Sequence, residues 1–202
     1  MLLKDVNDNP ISLYWKNLYS AQSNDIKSKL DGLDNARPKD YQLKVIKKSK
    51  TEPVEGDIFV LSPREDIYFY GRVLKSNINH ISQDTFVHGK SVVVIFKCKN
   101  NEISMSNYYP NYNDLLIRPE IVDKSYWSKG YFFTIENKPL DDNEKKLDYG
   151  FYSIGKGKFL KETGIEIDHQ PVLLGTYGIA TISGIAYEIE KELIIDSTLI
   201  EF

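Results

Sequence analysis

The sequence predicts an α+β fold: a twisted, mostly antiparallel, partly barrel-like sheet with N-terminal helices and one C-terminal helix. Three observations predict it. Apolar residues recur at helical spacing only near the two ends of the chain. The middle is a series of short apolar runs separated by Gly, Pro, Asn and Asp. With 202 residues, the chain is long enough for one domain that buries a core without a disulfide or metal staple.

The elements follow in order. Asp8-Asn9-Pro10 is a helix start, a capping side chain followed by Pro where its missing N–H costs nothing. Ile11, Tyr14, Trp15, Leu18 and Tyr19 then fall on one helical face. A second helical stretch runs from Asp25 to Leu33, and Asn35-Ala36-Arg37-Pro38 reads as a stop. Residues 1–38 are therefore expected to be a helical appendage on a β-rich domain spanning 39–202. Leu43, Val45 and Lys47 alternate with polar residues, which suits a strand. Gly56-Asp57 is a turn leading into the apolar strand Ile58-Phe59-Val60-Leu61. A loop, Ser62 to Asp66, leads to a partner strand from Ile67 to Leu74, in which Gly71 signals a bulge or a close backbone approach. Ser91 to Cys98 is the most apolar strand. Leu115-Leu116-Ile117 and Tyr131 to Ile135 follow, separated by Pro119 and a loop with Trp127 and Gly130. Two short strands flank Gly155 and Gly157. Ile179, Ile182, Ile185, Ala186, Ile189 and Leu193 share a helical face, so residues 179–194 form the last helix, with Ile185, Tyr187 and Ile189 as an alternative strand pattern.

Composition narrows the function. The chain is 41% hydrophobic and 27% charged with a net charge of −3, ordinary for a soluble globular protein and too small a charge for a generic nucleic-acid binder. Its charge is polarised: residues 1–50 carry a net +4, and residues 139–202 a net −6. An acidic face suits a basic partner; Glu188, Glu190 and Glu192 equally suit a solvated face. The longest apolar run, Val92 to Phe96, is far short of the ~20 residues that span a bilayer, and Met1 to Asp5 lacks a secretory core. A single cysteine, Cys98, rules out an intrachain disulfide. Together these point to a cytoplasmic protein with no membrane partner.

Catalytic and metal signatures are missing, so no catalytic residue, cofactor site or metal site is assigned. His80, His88 and His169 have no ligand spacing, and Ser183 lacks a nucleophile elbow. Cys98 ends an apolar strand, as a core thiol does. Asp168 and His169 would point to opposite faces of a strand. Glu144 and Asp148 could pair for acid/base work, but sit in an acidic loop. Ile154 to Lys158 lacks the full phosphate-loop pattern. Binding features are stronger. Ser104 to Asn113 is dominated by Tyr, Ser and Asn, the chemistry of an adaptable recognition loop. The candidate partner-binding residues are Tyr108, Tyr109 and Tyr112 in that loop, and Asp141, Asp142 and Glu144 in the acidic segment. The basic run Lys44 to Lys50 reads as a charged edge or linker.

Pro53-Val54-Glu55-Gly56-Asp57-Ile58-Phe59 and Tyr68-Phe69-Tyr70-Gly71-Arg72-Val73-Leu74 resemble the opening of the immunity protein 26 family of bacterial polymorphic-toxin systems. Trp127 to Phe132 and Ile135 to Leu140 resemble its second block, and the likeness spans roughly 41–195. The resemblance implies a β-rich protein that binds and neutralises a cognate toxin by direct occlusion and is no enzyme. The scattered histidines count against the phosphotriesterase activity sometimes ascribed to relatives. Gly56, Asp57, Phe59, Gly71, Arg72 and Gly130 make sense as scaffold. The expected partner is a basic toxin domain, with nucleic acid disfavoured. The alternative is a nucleic-acid- or peptide-binding module on a small barrel-like sheet, using the basic N-terminal region.

Overall fold

The computed structural model describes residues 9–82 and 86–201; Asp8 of the first helix signal and the segment Met1 to Asp5 lie outside them. Helix α1 (Pro10–Ser20) starts where Pro10 follows Asn9, whose carboxamide oxygen accepts the Ile11 and Ser12 N–H groups at 3.0 and 2.9 Å. Helix α2 (Asn24–Asp34) is capped by Ser23 and buries Leu30 and Leu33. Helix α2 ends at Asp34, immediately before the stop read at Asn35 to Pro38, but Pro38 does not end helical structure altogether. It opens a further turn, α3 (Pro38–Tyr41), because proline fits the first position of a helix as well as the residues after one.

Five antiparallel strands make the central sheet: β1 (Asp57–Arg64), β2 (Ile67–Lys75), β3 (Ser91–Asn100), β4 (Leu115–Val122) and, after the helical turn α4 (Ser125–Ser128), β5 (Phe133–Asn137). Their order is β4-β3-β2-β1-β5. A second sheet contains β6 (Tyr149–Ser153), β7 (Lys158–Leu160), β8 (Glu166–Ile167) and β9 (Leu173–Thr176), in the order β8-β7-β6-β9 with β6 and β9 parallel. Helix α5 (Ile182–Ile195), capped by Thr181 through the Gly184 N–H, is followed by a 3-10 turn over Ser197–Ile200. The α+β architecture and the placement of helices at both ends match the sequence reading. The sheet differs: among the described residues there are two, and neither closes into a barrel.

Both faces of the central sheet are buried. Phe59, Val73, Val93, Ile95, Trp127 and Phe132 face α5, against Ile185, Ile189 and Leu193. Ile58, Val60, Tyr70, Val92, Val94 and Phe96 face the other way, toward Phe151 of the second sheet. That explains the unbroken apolar run Val92 to Phe96, since a strand covered on both sides has no reason to alternate.

Four local readings change. Leu43 to Lys47 forms no strand: Lys44 bonds to the Ser62 carbonyl and Ile46 to that of Gly130, so this extended segment shifts between neighbours without a ladder. The loop from Ser62 is shorter, as β1 continues to Arg64 and the chain turns at Glu65-Asp66, with Asp66 at φ +56°. Pro119 lies inside β4 instead of ending it. This strand is at the sheet's edge, where a missing N–H breaks no ladder bond on its open side. Ile179 precedes α5 and bridges to Ile121.

Candidate partner-binding surface

The residues singled out as scaffold interlock. Gly56 has φ +87°, and a Cβ there would meet the Lys138 carbonyl oxygen at 2.3 Å. Asp57 fixes the same turn, accepting the Val54 N–H at 3.0 Å and the Asn137 amide at 2.9 Å. Gly71 lies directly under the Phe59 ring, with 2.2 Å between its hypothetical Cβ and the nearest ring carbon. The ring is then clasped by Phe132, stacked at 4.5 Å, and Trp127, edge-on at 5.4 Å. Gly130, at φ +88°, lets the chain pass against the Lys47-Lys48 backbone.

Arg72 connects this scaffold to the candidate surface. Its guanidinium donates to the Gly56 and Pro139 carbonyls and grips Glu144 with two hydrogen bonds of 3.0 Å. The two side chains are 3% and 9% exposed. Tyr112 Oη donates to the same carboxylate, which also accepts the Asp141 N–H at 2.9 Å. Burial by itself would raise the Glu144 carboxyl, but the bonds from Arg72, Tyr112 and Asp141 outweigh it and hold the group below its ordinary value. Burial, reinforced by the adjacent carboxylate, pushes the Tyr112 phenol up, so it remains a neutral donor. Burial likewise raises Tyr108.

The Tyr-rich loop is held firmly. Tyr70 Oη donates to the Ser104 carbonyl at 2.8 Å, and Asn100 donates to the Ser104 and Ser106 hydroxyls. Tyr108 packs edge-on against Tyr70 at 5.6 Å, and Tyr112 against Phe96 at 5.1 Å. Tyr109 is left standing out at 73% exposed. The six sequence-selected residues thus divide by position. Tyr109, Asp141 and Asp142 are at the surface; Tyr108 and Tyr112 are partly buried; Glu144 lies beneath, joined to Arg72. The Tyr112–Glu144 bond unites the two segments across 32 residues.

Other candidates separate. Glu144 is committed to Arg72 and Asp148 to His169, so they form no acid/base pair. Asp168 and His169 do meet, at 3.1 Å, because β8 ends at Ile167 and the chain bends there. Hydrogen bonds that the His169 imidazole donates to Asp148 and Asp168 raise its value. His80 is buried, its Nδ1 2.8 Å from the Ser82 N, and its backbone N lies 3.4 Å from His88 Nδ1. Among the described residues no group of three or more His, Cys, Asp or Glu side chains could hold a metal ion. No described helix is long and apolar enough to cross a membrane. Glu190 pairs with Arg64 and Glu188 with Lys191 at 2.9 Å. Sequence reasoning missed Arg118 and Glu120, charges set between the apolar runs Leu115–Ile117 and Ile121–Val122; that interruption was the available signal.

The family model of immunity protein 26 matches residues 54–159. The chain belongs to the immunity protein 26 family. The match starts just before the Gly56 turn and ends within β7, so the family segment holds the central sheet, the Arg72–Glu144 pair and both candidate surface segments. Helices α1, α2, α3 and α5 and strands β8 and β9 lie outside it. No curated protein and no solved structure matches the chain.

Proposed function

We propose that this immunity protein neutralises a cognate toxin by binding it and covering its functional surface, without catalysis. Tyr109 would act as an aromatic anchor, and Asp141 and Asp142 as the acidic rim that meets a basic toxin domain. The observation that carries this reading is the Tyr112–Glu144–Arg72 network. It ties two chemically suited segments to the rigid central sheet, and a preorganised surface loses little entropy on docking. A stable interface needs about 800 Å² on each partner, with a few aromatic anchors supplying most of the energy. In this reading the protein acts in the cytoplasm of the toxin-producing cell, and neither membrane nor nucleic acid is its partner.

The test is to co-purify the chain with the toxin encoded beside it and measure binding kinetics. Tyr109→Ala should raise the off-rate about tenfold, equivalent to ~1.4 kcal/mol. Asp141→Lys with Asp142→Lys should lower the on-rate and flatten its salt dependence. Unchanged kinetics in all these variants, each shown to be folded, would place the interface elsewhere.

A further inference from the structure

A concavity opens where the two sheets diverge. Strands β4 and β9 each end a sheet, and they converge at Pro119 and Gly175, where a Cβ on Gly175 would come within 2.1 Å of the Pro119 carbonyl oxygen. From that closed end a cleft of about 300 Å³ widens under α1. This is at the small end of ligand pockets, roughly 300–1,000 Å³. Its walls combine the apolar and aromatic Tyr14, Trp15, Leu115, Ile117 and Leu173 with the charged Lys97, Asp114 and Glu192, and Arg118 lies beside Pro119.

Arg118 is unusual in this protein. Its guanidinium carbon lies 4.0 Å from the centre of the Tyr14 ring and 5.6 Å from that of Trp15. Its Nη2 is buried with no hydrogen-bond acceptor, and it makes no ion pair among the described residues. Two of the surrounding acids are paired elsewhere. Asp114 binds Lys97 at 2.6 Å and Glu188 binds Lys191 at 2.9 Å. Burial pushes Glu120 up to about 8 and Glu192 up to about 7, toward their neutral forms. A guanidinium out of water is poorly compensated by ring faces alone; its planar fork matches a carboxylate.

We propose that this cleft binds a small aromatic carboxylate, with the ring between Tyr14, Trp15 and the apolar wall and the carboxylate on Arg118. The site is separate from the surface assigned to the toxin and stands or falls without it. Helix α1 supplies both aromatic faces while burying no residue of its own.

The test uses the purified full chain and naphthalene-2-carboxylate, with naphthalene-2-carboxamide as the neutral control. The protein has two tryptophans. Trp15 lines the cleft, whereas Trp127 is 1% exposed and donates to Thr134 at 2.9 Å. The Trp15 indole resonance, assigned through Trp15→Phe, should therefore shift saturably with the acid while that of Trp127 stays fixed. The carboxamide should bind at least tenfold more weakly. Arg118→Met should weaken the acid at least tenfold while leaving the melting temperature unchanged or higher, since it removes an unpartnered buried charge. Arg118→Lys, which keeps the charge without the fork, should fall between. An acetylated dipeptide ending in Phe tests whether the carboxylate can come from a chain terminus; tighter binding than the free acid would assign the site to a partner's C-terminus. Equal binding of acid and amide, undiminished binding by Arg118→Met, or no Trp15 shift at roughly 10 mM acid would overturn the proposal.

Discussion

Replacing Glu144 by Gln leaves the Arg72 guanidinium, only 3% exposed, without its counter-charge. Breaking a buried pair by removing one partner costs about 3–5 kcal/mol. The lower end applies here, because Arg72 keeps the Gly56 and Pro139 carbonyls as acceptors and Gln offers one oxygen in place of two. In a chain of this length 1 kcal/mol moves the melting temperature by about 2–4 °C, so Glu144→Gln should melt roughly 6–12 °C lower. Urea unfolding of the single and double variants provides the assay. Arg72→Met combined with Glu144→Leu removes both charges and should be more stable than Glu144→Gln alone, since the larger part of the single-mutant loss is an uncompensated charge. A single-mutant loss below about 1 kcal/mol, the range of exposed pairs, would refute the claim that this pair anchors the two surface segments.

Gly71→Ala should cost about 1–3 kcal/mol by overpacking against Phe59, and Phe59→Leu in the same chain should recover part of that loss in a thermal melt. Glu120 has a folded-state value raised to about 8, so between its unfolded value and 8 the folded state holds a proton that the unfolded state has released. Stability should fall as pH rises through that window, Glu120 contributing a slope approaching 1.4 kcal/mol per pH unit, on the order of one proton. Glu192, raised to about 7, adds a slope of the same sign below that pH, so Glu120→Gln should remove the slope of denaturation midpoints between about 7 and about 8 and only part of it below. Residues 39–202 alone should fold with a native-like circular dichroism spectrum but a lower melting temperature, since Leu30 and Leu33 are buried and Tyr187 donates to Asp34; an unfolded product would mean that the helices belong to the core.

The central sheet was legible because its signals are local. Gly56-Asp57 demands a turn, Gly71 marks a close contact, made by the Phe59 ring and not by another backbone, and Val92 to Phe96 reads as a buried strand. The misreadings come from residues whose meaning depends on distant neighbours. Pro119 breaks a central strand but suits an edge, and sequence does not say which strand is the edge. The alternation of Leu43 and Val45 is real, yet only Leu43 is buried, because successive backbone bonds go to different neighbours. In the candidate surface, the tyrosines and acids could be chosen by chemistry. That Glu144 lies under its neighbours could not, because its partner Arg72 is 72 residues away.

The family segment ends at residue 159, yet neither face of the central sheet is covered by that segment alone. Ile185, Ile189 and Leu193 complete one side, and β9 completes the sheet that covers the other. During synthesis these strands therefore emerge with oily surfaces on both sides and wait for the last stretch of chain. At about 5–20 residues per second, the wait from β7 to the end of α5 lasts roughly 2–7 s. Under the proposed function, a cell that makes toxin and antidote together is protected only after this delay, which favours translating the antidote in excess or ahead of its target.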